Sequence, residues 1–150
     1  MLRLPIRLAL AALLAASVPA AAQDAGWTSL LDAELSAWRT YLSFRHQPGY
    51  DGQAPTGPDG EPLAPIGYDT DPDGVFSVVM EGSEPVLRVS GEVYGAVFTR
   101  RAFADYHLRL KVRWGEAVWP PRETLLRDSG VLYHSTGEAG VDWWRSWMLA

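Results

Sequence analysis

The stretch DYHLRLKVRW, residues 105–114, decides the predicted fold class. Along it, apolar side chains alternate with polar or charged ones, and the apolar set is Tyr106, Leu108, Leu110, Val112 and Trp114. Successive side chains of a β-strand point to opposite faces of the sheet, so a period of two predicts a strand with one buried and one polar face.

The polar face of this segment is a basic stripe in an acidic protein, formed by His107, Arg109, Lys111 and Arg113. Two interpretations stay open. The stripe is either a solvated outer face or a concave sheet face that grips a polar ligand. Arg113 is the best candidate for ligand binding, because a guanidinium group pairs well with oxygen-rich molecules.

Short β-type segments, separated by turn residues, lie on both sides of residues 105–114. We expect a first strand at 27–31, a turn at 32–36, and strands at 75–80, 86–90, 94–99 and 129–135. The sequence after residue 22 contains no convincing amphipathic helix. Many short strands with regular turn signals predict an all-β sandwich or jelly roll.

Residues 45–74 form the longest interruption of this pattern and are rich in Gly, Pro and Asp, which predicts an elaborated surface loop. Within it, DTDPDG at residues 69–74 resembles the opening of a calcium loop, with Asp69, Asp71 and Asp73 as candidate ligands. The twelfth position, where such a loop requires Glu, is Met80. The segment is therefore either a departure from a calcium loop or a solvated acidic turn without a metal, and we expect no cofactor.

The N-terminus reads as a cleavable export signal. Residues 1–7 form a short basic segment with Arg3 and Arg7, and an apolar run follows at 8–18. Ala20 and Ala22 fit a cleavage site after residue 22. The run is about half the ~20 residues that span a bilayer. We therefore predict a periplasmic or secreted protein, with residues 23–150 as one domain and no membrane attachment after cleavage.

Composition limits the function further. Loss of Arg3 and Arg7 reduces the 13 basic residues to 11 against 18 acidic ones, a formal charge of −7, which argues against nucleic acid or an anionic membrane as partner. The chain has no cysteine, which excludes disulfides and thiolate chemistry. Its seven Trp and six Tyr either fill the core or stack on sugar rings.

A carboxylate and an imidazole flank the predicted strand near residue 130. Asp128 and His134 are six positions apart, an even spacing that places both on one face of a strand, but they would lie about 20 Å from each other. Asp128 is either half of an acid–base pair or the cap of the turn that includes Gly130. The motifs of α/β-hydrolases, zincins and nucleotide-binding proteins are missing from the sequence.

Four segments, in order, resemble the 3-keto-disaccharide hydrolase domain family. They are GWTSLLDAELSAW (26–38), SGEVYGAVFT (90–99), FADYHLRLKVRWG (103–115) and RDSGVLYH (127–134). Each motif is weak by itself, but their order covers nearly the whole predicted mature chain. The resemblance implies a concanavalin A-like jelly roll of two antiparallel sheets, and an exported hydrolase that cleaves glycosidic bonds of 3-keto sugars.

The resemblance also implies the site. Asp128 or His134 would be the base, and Arg113 would stabilise negative charge on the keto oxygen. The residues expected to contact the sugar are Ser129, Tyr133, Tyr94 and Trp144. A lectin-like carbohydrate-binding module with the same jelly roll and no turnover is the alternative function.

One departure from the family concerns the C-terminal end. In the family, a strand with a Glu-x-Gln-like pattern follows the Trp-Met region, which is residues 147–148 here, and the sequence ends at Ala150. We therefore expect a domain that is incomplete at its C-terminal end, and an inactive fragment if that Glu is catalytic.

Overall fold

The structure is a computed structural model that describes residues 26–51, 53–133, 135, 137 and 147–149. The predicted export signal, His134 and Trp144 lie outside the described residues. The described residues form seven strands: β1 (Trp38–Arg45), β2 (Gly67–Tyr68), β3 (Phe76–Glu81), β4 (Glu84–Val89), β5 (Val93–Thr99), β6 (Val131–Tyr133) and β7 (Trp147–Leu149).

Among the described residues every strand pair is antiparallel and no helix occurs, which confirms the all-β prediction. The strands form a three-stranded sheet in the order β2-β1-β5 and the two-stranded sheets β3-β4 and β6-β7. The described ranges contain no helix, and hence none that could cross a bilayer. The jelly-roll arrangement itself stays a prediction.

Local turn chemistry explains why β3, β4 and β5 follow one another. The β3–β4 hairpin turns through two residues, and Gly82 has a φ of 64°, the left-handed conformation that such a short turn requires. The strands predicted at 75–80, 86–90 and 94–99 are therefore confirmed, with bounds that differ by one or two residues.

The core lies between the β1–β5 pair and the entry to β3. Leu42 and Val75 are fully buried, Val93 is nearly so, and Ile66 and Phe76 pack against them. Gly95 lies opposite Leu42 in the β1–β5 pair, where an added Cβ would be 2.5 Å from the Tyr41 carbonyl oxygen. The two strands therefore approach closely only because residue 95 has no side chain.

Two strand predictions are wrong. Residues 27–31 are irregular, and the first ladder begins at Trp38, whose indole Nε1 donates a 2.6 Å hydrogen bond to the Leu30 carbonyl. Residues 105–114 are also outside every strand, and Leu110 and Val112 are 50% and 69% exposed. Alternation determines which residues share a face, but a strand in a sheet also needs a neighbouring strand with which its backbone forms hydrogen bonds. No segment among the described residues pairs with 105–114 in this way.

Exposed ion pairs, rather than a backbone ladder, connect segment 105–114 with the β3–β4 hairpin. Lys111 Nζ lies 3.9 Å from Glu84, and Arg113 forms an ion pair with Glu81. Both carboxylates belong to the β3–β4 hairpin. The predicted basic stripe thus faces acidic groups of the same chain at two of its four positions.

The loop prediction for residues 45–74 is largely confirmed. Most of the segment is irregular, but Gly67–Tyr68 forms β2 beside β1, and Thr56 forms an isolated bridge with Pro62. The predicted strand at 129–135 is confirmed in its central part by β6, Val131–Tyr133.

Candidate functional site

A stack of aromatic rings lies where β1 ends and β5 begins. The imidazole of His46 stacks on Tyr94 with 3.8 Å between ring centroids and 17° between planes, and Tyr50 lies on Tyr94 at 5.0 Å. The antiparallel register explains this stack: Arg45 pairs with Val93, so His46 lies opposite Glu92 and has Tyr94 as its diagonal neighbour on the same face. The His46 amide also donates a 2.8 Å hydrogen bond to the Glu92 carbonyl. We call residues His46, Tyr50, Glu92, Tyr94 and Arg122 the His46 cluster.

A second contact fixes the orientation of the His46 ring. Its Nδ1 lies 3.0 Å from the carbonyl oxygen of Pro120. A carbonyl only accepts hydrogen bonds, so Nδ1 must carry the proton and Nε2 of the neutral ring keeps a free lone pair. Nε2 has no hydrogen-bond partner in the described part of the chain. Unlike Glu92 Oε2 and Ser90 Oγ, this atom is not fully buried.

The electrostatic surroundings favour the neutral ring. Burial has the largest effect and lowers the pKa of His46 from its ordinary value. The hydrogen bond to Pro120 and the charge of Glu92 raise this pKa, and the charge of Arg122 lowers it. The net shift is downward. Burial also raises the pKa of Tyr94, against an opposing effect of Arg122. At neutral pH the stack therefore contains an uncharged imidazole and an uncharged phenol.

The segment 119–122 forms one wall of the cluster. The indole Nε1 of Trp119 donates a 3.0 Å hydrogen bond to the Ser90 carbonyl, and the Arg122 amide donates one of 2.9 Å to the Trp119 carbonyl. Gly91 lies under the indole, since an added Cβ there would be 3.4 Å from Nε1. These contacts hold Pro120 and Arg122 beside the start of β5.

Arg122 connects the cluster to one of the predicted catalytic residues. Its Nη2 lies 3.5 Å from Asp128 Oδ2 and donates a 3.1 Å hydrogen bond to the Leu126 carbonyl. The Asp128 side chain is 67% exposed. The structure therefore places Asp128 on solvent, with its carboxylate partnered by the arginine that also acts on His46.

Two buried polar atoms beside the stack have no partner within the described ranges. They are Glu92 Oε2 and Ser90 Oγ. Native structures usually satisfy such groups, and an unsatisfied one calls for an explanation such as a bound molecule. Both residues border the turn that Trp119 covers, so the cluster has spare hydrogen-bonding capacity next to an imidazole.

The other predicted site residues are distributed more widely. Tyr94 is in the cluster, and Asp128 reaches it through Arg122. Arg113 instead pairs with Glu81 on the β3–β4 hairpin, Ser129 is exposed before β6, and Tyr133 is half-buried in β6. The structure thus brings together two of the predicted residues, with His134 and Trp144 outside its described part.

The three candidate calcium ligands have separate partners. Asp69 pairs with Arg39 at 3.0 Å and Asp73 with Arg45 at 2.7 Å. Asp71 accepts the amides of Val75 and Phe76 at 2.8 and 2.9 Å. The described residues contain no group of three His, Cys, Asp or Glu that could hold a metal ion. This geometry is that of a structural turn at the entry to β3.

Two open cavities have no residue of the His46 cluster in their linings. One of about 270 Å³ is lined by Arg39, Tyr68, Phe98 and Arg100, and one of about 210 Å³ lies beside β1 next to the 45–74 loop. The arginines of the larger cavity are already paired with Asp69. The cluster offers reactive groups that neither cavity has, so we consider it the better candidate site.

His46, Glu92 and Arg122 were missed in the sequence because they lie in three separate segments with no shared motif. In the sequence, His46 lies near the start of the predicted loop at 45–74, and Glu92 lies in the turn before the strand predicted at 94–99. The one available signal was the rigid Trp-Pro-Pro-Arg run at 119–122, which interrupts the β pattern.

Comparison with curated proteins and with solved structures finds no match. Comparison with family models finds one: residues 26–148 match the 3-keto-alpha-glucoside-1,2-lyase-like domain. The match covers most of the chain and confirms the resemblance seen in the four sequence segments. The protein belongs to the family of the 3-keto-alpha-glucoside-1,2-lyase-like domain.

Proposed function

We propose that this protein cleaves the glycosidic bond of glucosides that carry a ketone at C3. The observation that carries the proposal is the family match over residues 26–148, which supports glycoside-cleaving activity at the level of the family and suggests a sugar substrate. The His46 cluster supports it further, because an aromatic stack beside polar groups suits a sugar ring.

The chemistry follows from the ketone. A C3 carbonyl acidifies the C2–H bond, so a base removes this proton and the electron pair moves onto the C3 oxygen as an enolate. The enolate then reforms the carbonyl, a C1=C2 double bond forms, and the C1–O bond to the aglycone breaks. The aglycone oxygen takes up a proton and leaves as an alcohol. Such a reaction needs a base and a group that stabilises the enolate.

The sequence-based role assignments enter this scheme as proposals. Asp128 and His134 are candidates for the base, Arg113 for enolate stabilisation, and Tyr94, Ser129, Tyr133 and Trp144 for sugar contacts. The contacts of Tyr94 favour its role, since a half-buried ring already stacked on His46 offers a preformed surface. We also propose that residues 1–22 direct export, which would place the reaction in the periplasm or outside the cell.

The test is release of aglycone from a 3-keto-glucoside, with the unoxidised glucoside as matched substrate. We expect release from the keto sugar alone, because only its C2 proton is acidic enough to remove. Equal release from both would indicate ordinary hydrolysis and reject the elimination. Binding of the keto sugar without release would favour a lectin-like module, and neither binding nor release would reject both functions.

A further inference from the structure

We propose that Nε2 of His46 is the base that removes the C2 proton, a role that rests on the proposed function. The proton passes from C2 to Nε2, the enolate expels the aglycone from C1, and the resulting imidazolium returns the proton to the aglycone oxygen. The imidazole thus ends each cycle neutral, and no other reactant is consumed.

The first step in support is geometric. Pro120 holds Nδ1 at 3.0 Å, so the ring is locked in the tautomer that presents an unprotonated Nε2. Tyr94 stacks on the ring face at 3.8 Å and prevents it from tilting. A general base needs both a free lone pair and a fixed direction, and these two contacts supply them.

The second step is electrostatic. The groups that face His46 are Tyr94 from β5, Tyr50 from the loop after β1, Glu92 from the turn before β5, and Arg122 from segment 119–122. Burial keeps the ring neutral and ready to accept a proton. The Glu92 carboxylate, with a buried and unpartnered Oε2, then stabilises the imidazolium that forms, as carboxylates beside catalytic histidines do.

Asp128 is less suited to this role. Its carboxylate is largely exposed and is already partnered by Arg122. The Asp128 carboxylate is therefore engaged by a guanidinium group, whereas Nε2 of the neutral His46 ring keeps a free lone pair for a proton. The structure therefore favours His46 over Asp128 as the base.

The test compares His46→Asn with Gln47→Asn, a substitution at the exposed neighbour. Asparagine retains a side-chain N–H that can donate to the Pro120 carbonyl and lacks a base at the position of Nε2. We expect His46→Asn to lower kcat/KM for aglycone release by about 10²- to 10⁴-fold, with an unchanged melting temperature, while Gln47→Asn releases aglycone at the wild-type rate. Asp128→Asn should have a smaller effect than His46→Asn.

The pH profile adds a readout that a purely structural role would not move. Activity should fall as pH drops through the pKa of His46, which burial lowers from the ordinary value of a histidine. Removing the negative charge in Glu92→Gln should move this acid limb to lower pH, and removing the positive charge in Arg122→Gln should move it to higher pH. Shifts in the same direction, or none, would overturn the assignment.

The outcomes separate this inference from the proposed function. A wild-type protein that releases aglycone while His46→Asn does so equally well rejects His46 alone. A wild-type protein that releases none rejects both. A folded His46→Asn variant that loses release, together with opposite pH shifts in the two charge variants, supports both.

Discussion

Asp71 should stabilise the fold as a turn cap, and its replacement by alanine should cost far more than replacement of Asp73. The Asp71 carboxylate accepts the backbone amides of Val75 at 2.8 Å and Phe76 at 2.9 Å, at the point where β3 enters the core. Asp73 forms an ion pair with Arg45, whose side chain is 58% exposed. The two aspartates are two residues apart but belong to different interactions.

The magnitudes follow from these contacts. A hydrogen bond to a charged group contributes roughly 1.5–3 kcal/mol, and a buried donor left without a partner costs about 1–3 kcal/mol. Val75 is fully buried, so Asp71→Ala should lower the free energy of unfolding by about 3 kcal/mol. Asp71→Asn keeps one acceptor and should cost about half as much. Asp73→Ala removes an exposed pair and should cost about 0–1 kcal/mol.

Urea unfolding followed by tryptophan fluorescence measures these differences, with and without Ca²⁺. We expect the order Asp71→Ala, Asp71→Asn, Asp73→Ala in decreasing loss, and no effect of Ca²⁺ on any of them. A calcium loop predicts a different pattern. Equal losses at Asp71 and Asp73, together with a wild-type midpoint that rises on addition of Ca²⁺, would refute the interpretation as a structural turn.

Three further predictions concern the core, the sheet and the N-terminus. Leu42→Ala should lower the free energy of unfolding by about 2–5 kcal/mol, because a fully buried side chain leaves a cavity beside Val93, and a loss below 1 kcal/mol by urea unfolding would contradict this. Gly95→Ala should separate β1 from β5 and lower the melting temperature, whereas Gly115→Ala, at a position with open space, should leave it unchanged. Equal melting temperatures for the two variants would reject the close approach of β1 and β5. Bulky residues at positions 20 and 22 should block cleavage after residue 22, and N-terminal sequencing that finds unchanged processing would reject the export signal.

The sequence was sufficient to predict those parts of the fold that depend on residues close to one another along the chain. The β3–β4–β5 run was predictable because apolar strands and turn residues such as Gly82 alternate within a short stretch. The segment 105–114 shows where this reasoning ends. Its alternation is the clearest in the chain, but the pairing of a strand depends on a partner that the pattern does not identify.

The candidate site was predictable only in part for the same reason. Tyr94 and Asp128 were named from the sequence, but the contact between His46 and Tyr94 arises from the β1–β5 register. The Pro120 carbonyl, which fixes the imidazole, is 74 residues from His46 in the sequence. A site assembled from residues 46, 92–94 and 120–122 needs the tertiary structure to become visible.

The central claim is that bond cleavage begins with removal of the C2 proton, and an isotope experiment tests it most directly. The rate of aglycone release is measured for two 3-keto-glucosides that differ only in hydrogen or deuterium at C2. We predict a lower kcat/KM for the deuterated sugar, since breaking the C2–H bond is part of the rate-determining chemistry. Equal values, with full retention of deuterium at C2 in the released sugar, would show direct hydrolysis and contradict the elimination.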